Sequence, residues 1–186
     1  LDWSYQLLSP EEQRSLCGLS VFTGGCTLEA VNAITGDGPL PLGEQPRIAM
    51  YLYDPSIALE PFPEVPIRLL ERMESLVAKN LIYSEERGGE KRFQLYATIR
   101  EYAARRAEES GMHERLSENH CAYFVRLAEQ LWPALRGREA SASYERLDHE
   151  LANLRDALKW ALENAPEQGL RITLALGEYW DTRGMP

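Results

Sequence analysis

Residues 92–106 read Arg-Phe-Gln-Leu-Tyr-Ala-Thr-Ile-Arg-Glu-Tyr-Ala-Ala-Arg-Arg, and two hydrophobic periodicities follow one another within them. Phe93 and Leu95 alternate with polar residues, which is the pattern of a β-strand with one buried face. Ile99, Tyr102 and Ala103 then recur at helical spacing. The sequence therefore predicts a strand that passes directly into an amphipathic helix.

A second strand is predicted just upstream, at residues 81–85, which read Leu-Ile-Tyr-Ser-Glu. Gly88 and Gly89 follow, and glycine supplies the positive φ angles that a tight hairpin needs. Pro66 opens a preceding helix, and its apolar residues are Leu69, Leu70, Met73, Leu76 and Val77. Helix, two-stranded ribbon and helix form the local plan of a winged-helix domain, in which the helix before the hairpin has the recognition position.

The composition is that of an ordinary globular protein. The chain has 186 residues, of which 44% are hydrophobic and 26% charged, enough for one large or two small domains. Three cysteines without C-x-x-C spacing argue against a disulfide framework and predict a reducing, cytoplasmic environment. No apolar run approaches the roughly 20 residues of a membrane span. Because the chain begins in mid-pattern, we expect it to be a piece of a longer protein.

The first helices have recognisable start signals. Residues 1–8 are predicted to form a short helix. Ser9 is a favourable N-cap for the next one, Pro10 suits its first position, and Glu12 completes a capping box.

A further helix is predicted to begin after Thr27, which is its expected N-cap, and to end at Gly36. The pair Gly24 and Gly25 is interpreted as a turn from one helix to the next.

Residues 37–66 interrupt the helical pattern with seven prolines, at positions 39, 41, 46, 55, 61, 63 and 66. Each proline removes a backbone donor, which excludes a long helix. The apolar run at residues 48–53, Ile-Ala-Met-Tyr-Leu-Tyr, indicates an ordered insertion. Folding back onto its own domain is the favoured interpretation, and packing on an absent partner domain stays open.

The second half of the chain has only helical patterns. Helices are predicted at residues 113–135, 139–164 and 166–183. Their apolar stripes are Leu116, His120, Phe124, Leu127 and Leu131, then Tyr144, Leu147, Leu151, Leu154, Leu158 and Ala161, and finally Leu170, Leu174 and Trp180. Consecutive helices with short links favour helical hairpins of the tetratricopeptide-like kind, stacked as in a solenoid.

The predicted fold is therefore mainly α. A winged-helix domain with a small β-hairpin is expected at residues 1–110, with the proline-rich insertion at 37–66. An all-α region, the start of a repeat array, is expected at residues 111–186.

No catalytic constellation is found in the sequence. A G-x-x-x-x-G-K-[ST] phosphate loop is absent, so this segment does not cradle a nucleotide in that way. The spacing of His113, His120 and Cys121 is compatible with metal binding, because residues seven apart share a helix face. Structural zinc requires four ligands, however, and the sequence has no second pair of metal ligands at a suitable spacing. We expect no enzyme activity, no catalytic residue, no metal site and no cofactor within this segment.

Direct DNA reading is disfavoured by charge. The net charge is −9, whereas phosphate attraction dominates the affinity of DNA-binding proteins. The recognition-position helix carries Arg68, Arg72 and Lys79 beside Glu71 and Glu74. The hairpin carries Arg87, Lys91 and Arg92 beside Glu85, Glu86 and Glu90. Mixed charges of this kind are typical of a solvated surface.

Six stretches resemble, in the expected order, motifs of bacterial signal-transduction ATPases with numerous domains, the NB-ARC-like STAND proteins; the first two resemble the opening of the winged-helix region and the other four resemble later family motifs. They are Leu1–Glu12, Leu19–Ala30, Leu76–Ile82, Phe93–Ala103, Asn153–Leu162 and Tyr179–Gly184. Apart from the insertion, the resemblance covers nearly the whole chain.

The resemblance implies a regulatory segment. An upstream nucleotide-binding domain of the same protein would bind ADP or ATP, and the winged helix would fold against it as a conformational latch. The helical region would sense an effector or a protein partner and control signal transduction or transcription. Nucleotide exchange would shift a closed–open equilibrium through differential contacts.

The resemblance also assigns one position to nucleotide sensing. Related proteins often carry Met-His-Asp at the strand-to-helix junction, and the histidine contacts the ADP β-phosphate. Aligned on Leu95-Tyr-Ala97, that motif places Tyr96 at the histidine position. A tyrosine hydroxyl can hydrogen-bond a phosphate but brings no positive charge, and Tyr96 is equally well interpreted as a packing residue.

Two alternatives to the latch stay open. One is a DNA-binding winged helix with a dimerising helical tail, which would bind DNA in a salt-dependent way. The other is a helical scaffold that recruits a protein partner independently of nucleotide.

Overall fold

The structure is a computed structural model, and it describes residues 1–36, 40, 42, 61–137 and 140–184. The apolar run at residues 48–53 and most of the proline-rich insertion lie outside these residues. The contacts divide the chain into two units. The first comprises Leu1–Leu40 and Phe62–His120, and the second comprises Pro41–Pro61 and Cys121–Pro186. The predicted division between residues 110 and 111 stays a prediction.

The elements of the first unit follow the order of a winged helix. Its helices are α1 (Asp2–Gln6), α2 (Pro10–Leu19), α3 (Leu28–Thr35), α4 (Ile67–Ala78) and α5 (Ala97–Glu109). Its strands are β1 (Cys26–Thr27), β2 (Ile82–Arg87) and β3 (Glu90–Leu95). Helix α6 (His113–Leu131) begins in this unit and ends in the second.

The three strands form one antiparallel sheet in the order β1-β3-β2. The hairpin register runs from Ile82 opposite Leu95 to Arg87 opposite Glu90, so the turn contains only Gly88 and Gly89. Both glycines have positive φ, at 60° and 78°, as a two-residue hairpin turn requires. The predicted hairpin is thus confirmed, with strands that extend closer to the turn than expected.

The sequence did not predict strand β1. Cys26 pairs with Phe93 and Thr27 with Arg92. Gly24 and Gly25 do lie in the connection between helices α2 and α3, but that connection also contains this strand. A strand of two residues is too short to show an alternating pattern, because its identity depends on the partner strand.

Both predicted N-caps of the early helices are confirmed. The Ser9 hydroxyl accepts a hydrogen bond from the Glu12 backbone at 3.2 Å, and the Ser9 backbone donates to the Glu12 carboxylate at 2.8 Å. The Thr27 hydroxyl accepts from the Ala30 backbone at 3.2 Å. These bonds satisfy donors that the first helical turn leaves open.

The core of the first unit lies between the sheet and its helices. Its fully buried apolar side chains include Leu16, Leu19, Ile34, Met73, Leu76, Ile82, Phe93 and Ala103. Side chains from strand and helix therefore meet in one core, as expected from the change of periodicity within residues 92–106.

The secondary-structure elements described in the second unit are all helices. After α6 come a short 3₁₀ helix (Trp132–Arg136), α7 (Ala140–Asn164) and α8 (Pro166–Arg183). The single residue Ala165 joins α7 to α8, and the Tyr179 hydroxyl of α8 donates to Asp148 of α7 at 2.7 Å. The predicted helical hairpin is confirmed.

Two details of the second unit differ from the sequence prediction. The helix expected to reach residue 135 ends at Leu131 as an α-helix, since Pro133 lies in a 3₁₀ turn. Leu170 and Leu174, which are apolar residues of the predicted helix, are 59% and 52% exposed. The face of α8 that packs inward carries Gly169, Ile172, Ala175, Leu176 and Tyr179.

Candidate nucleic-acid interface

Helix α4 has the recognition position of the winged helix, and its exposed face carries mixed charge. Leu69, Met73 and Leu76 are buried against the unit's core. The periodicity of these apolar residues leaves Arg68, Glu71 and Glu74 on exposed positions. A DNA duplex approaching this face would meet two carboxylates beside the arginine, which repel phosphate.

Lys79, at the end of α4, forms an ion pair with Glu12. The Glu12 carboxylate, buried at the start of α2, accepts hydrogen bonds from the Lys79 ammonium and, at 2.7 Å, from the Ser75 hydroxyl. Burial alone would raise the pKa of Glu12, but the bonds from Lys79, Ser75 and the Ser9 backbone lower it to about 2. Lys79 is therefore engaged within the protein.

The hairpin offers less basic surface than its sequence suggests. Lys91 lies 3.5 Å from the Glu74 carboxylate. Arg92, expected on the solvated surface of the hairpin, is only 1% exposed. Its guanidinium donates to the carbonyls of Gly24 and Gly25 at 3.3 and 3.2 Å. The expectation for Arg92 was wrong, because those backbone acceptors lie far away in the sequence.

Three arginines line a concave pocket on the first unit. Arg14 of α2 and both Arg68 and Arg72 of α4 border a cavity of about 300 Å³. Its remaining lining residues are Ser15, Asn32, Thr35, Gly36, Pro66 and Leu69. The sequence prediction placed Arg68 and Arg72 on one helix but missed their convergence with Arg14, for which no sequence signal exists.

Tyr96 lies at the junction of β3 and α5, as predicted. It is the N-cap residue of α5, and the residue is 47% exposed. Its ring packs against Tyr83 of β2, with ring centroids 4.9 Å apart. This geometry leaves the packing role and the phosphate-contact role both open to Tyr96.

The residues considered for metal binding have separate surroundings. His113 is exposed, and His120 packs edge-on against Phe22 with ring centroids 5.4 Å apart. The buried Cys121 thiol donates to the Gln168 amide oxygen at 3.0 Å. Among the described residues, no group of three or more His, Cys, Asp or Glu side chains could hold a metal ion.

Helices of the membrane-spanning type are not found in the part of the chain that the structure describes, since none there is both long and apolar enough.

The chain is similar to proteins that are named as transcriptional regulators. The chain is 28% identical, over 182 residues and 97% of its length, to a Mycobacterium bovis protein named "Putative HTH-type transcriptional regulator". Two Mycobacterium tuberculosis proteins, from strains CDC 1551 and H37Rv, carry the same description and match to the same extent. The chain spans 18% of the length of each of these relatives.

No protein-family model matches the chain, and no solved structure does. The relatives are named as transcriptional regulators and not as enzymes. Their name describes proteins several times longer than this chain. It therefore does not say which of their segments carries the helix-turn-helix.

Proposed function

We propose that this chain is a regulatory module of a transcription-control protein, and that its winged helix acts through contacts with other protein segments. The similarity to proteins named as transcriptional regulators supports the first part. The surface of the winged helix supports the second.

One observation carries the proposal: two basic residues at the recognition helix and hairpin, Lys79 and Arg92, are engaged inside the unit. Lys79 pairs with Glu12, and the Arg92 guanidinium donates to backbone carbonyls. The pair between Lys91 and Glu74 is exposed, so water screens it. A protein that neutralises many phosphates needs such cations free.

Exposed apolar side chains on both units suit protein partners. Trp3 and Leu7 of the first unit are 73% and 62% exposed, four residues apart at one end of the chain. Leu162, Leu170 and Leu174 of the second unit are more than half exposed. Large exposed apolar groups are frequent where another protein segment docks.

In its finer form, the proposal is a nucleotide-regulated latch. An upstream nucleotide-binding domain of the longer protein would close on the winged helix when ADP is bound and release it after exchange. Tyr96 is the residue we assign to the ADP contact, because its half-exposed ring stands at the start of α5. The helical unit would bind the effector or partner.

The latch is tested by ADP affinity of the full-length protein carrying Tyr96→Phe. Loss of one hydroxyl that binds phosphate weakens ADP binding by about tenfold. Tyr83→Phe is the matched control, because it removes a hydroxyl from the ring that packs against Tyr96. Equal ADP affinity of the two variants would contradict the assignment.

A DNA-binding winged helix is the second candidate, and the name of the relatives favours it. Exposed Arg68 and Arg87 are the residues that would contact phosphates, since neither has an ion pair within the described part of the chain. Salt-dependent binding of duplex DNA distinguishes this candidate from the latch.

A further inference from the structure

We propose that the arginine pocket, lined by Arg14, Arg68 and Arg72, binds a small anion that carries a phosphoryl group. The three arginines converge on one cavity of about 300 Å³, at the lower end of the range for ligand pockets. The inference goes beyond the proposed function and does not depend on it.

The charges at the pocket are not balanced by its own lining. Among the described lining residues, none carries a carboxylate side chain. Glu11 lies 3.6 Å from Arg14, but both side chains are more than half exposed, so water screens this pair. In a chain with a net charge of −9, three arginines that line one cavity make it locally positive.

Hydrogen bonds within the wall hold the pocket in shape. Arg72 donates to the Ser15 hydroxyl at 3.1 Å, which links α4 to α2. The Asn32 amide donates to the carbonyls of Pro63 and Glu64 at 3.3 and 3.1 Å. The Thr35 hydroxyl donates to the Val31 carbonyl at 2.8 Å. The wall therefore does not need a ligand to form.

The donors left for a ligand are mainly guanidinium groups. Guanidinium is a planar donor suited to the oxygens of carboxylate and phosphate. A phosphoryl group offers three acceptor oxygens in different directions, which suits arginines from two helices better than a planar carboxylate does. Because the site is concave, a compact anion enters it more easily than the broad surface of a duplex.

The test is an NMR titration of the complete chain with inorganic phosphate and, separately, with adenosine monophosphate at constant ionic strength. We expect saturable shifts at Ser15, Thr35 and Arg68. Arg68→Gln weakens binding by about tenfold, the scale of one charge-assisted hydrogen bond. Arg87→Gln is the matched control, because it removes the same charge at the exposed hairpin.

The two ligands distinguish the source of the phosphoryl group. Equal affinities assign the pocket to free phosphate, and tighter binding of the monophosphate assigns it to an organic phosphate. Shifts no larger than those caused by sodium chloride would overturn the proposal. Equal effects of Arg68→Gln and Arg87→Gln would overturn it too, as would Arg68-dependent binding of duplex DNA without binding of either small anion.

Discussion

The Arg92 guanidinium donates a hydrogen bond to the carbonyl of Gly25, 67 positions earlier in the chain, at 3.2 Å. The bond joins the strand before α5 to the segment that enters β1. It withdraws from solvent a basic residue of the hairpin that a DNA-reading winged helix would use. The same contact thus ties the segment before β1 to β3 and reduces the basic surface.

Arg92→Met is expected to destabilise the chain by about 2 kcal/mol, because it leaves the carbonyls of Gly24 and Gly25 without this donor in a buried site. Lys91→Gln, which changes an exposed neighbour, is expected to cost less than about 1 kcal/mol. Urea denaturation followed by circular dichroism measures both. Equal costs would show that the buried bond contributes no more than a surface charge.

Gly25→Ala and Gly89→Ala separate steric crowding from backbone strain. Both glycines have positive φ, at 70° and 78°. A Cβ at Gly25 would lie 2.6 Å from Gln94 Cγ and 3.1 Å from the Phe93 carbonyl oxygen, whereas a Cβ at Gly89 meets no atom within 4 Å. We expect a cost of about 1 kcal/mol at Gly89 and at least twice that at Gly25. Thermal denaturation that ranks the two in reverse order would contradict the structure.

Glu12→Gln is expected to reduce the free energy of unfolding by about 2 kcal/mol at neutral pH, because it removes the charge bound by Lys79 and Ser75. Glu11→Gln, in the same turn but exposed, serves as the control. The Glu12 contribution is present above the ordinary pKa of 4.5 and is lost as the pH falls toward 2. The difference in the free energy of unfolding between wild type and Glu12→Gln therefore becomes smaller as the pH falls over that range, as urea titrations would measure. A difference that does not change with pH would contradict this role of Glu12.

Glu129 and Arg171 form a buried bidentate ion pair between α6 and α8, with distances of 2.8 and 2.9 Å. Removing one partner leaves a buried charge, so Glu129→Gln is expected to cost about 3 kcal/mol. Replacing both residues with methionine is expected to cost less than either single replacement. Glu178→Gln, which breaks the exposed pair with Arg136, is the control in the same denaturation series. If the cost of the double replacement equals the sum of the costs of the two single replacements, the pairing is contradicted.

The sequence was sufficient for elements whose signals are local. The capping box at Ser9 depends on residues three positions apart, and the hairpin depends on adjacent glycines. Both were predicted correctly for that reason. The order of helices and strands around residues 92–106 then led to the winged helix.

The features that sequence analysis missed depend on distant partners. Strand β1 exists because Cys26 pairs with Phe93, and Arg92 is buried because its acceptors lie across the sheet. On α8, Leu170 and Leu174 fit helical spacing as well as the buried residues Ile172, Leu176 and Tyr179 do, so the spacing alone did not identify the buried face. The arginine pocket likewise joins residues of separate helices.

Fluorescence anisotropy of the complete chain with random-sequence duplex DNA tests the central claim most directly. At about 50 mM salt, where phosphate attraction is strong, we predict a dissociation constant weaker than about 10⁻⁴ M. The double variant Arg68→Gln, Arg87→Gln is predicted to have the same weak affinity for DNA as the wild type. Binding near 10⁻⁶ M that weakens steeply by about 200 mM salt, and is lost in the double variant, would instead identify a DNA reader.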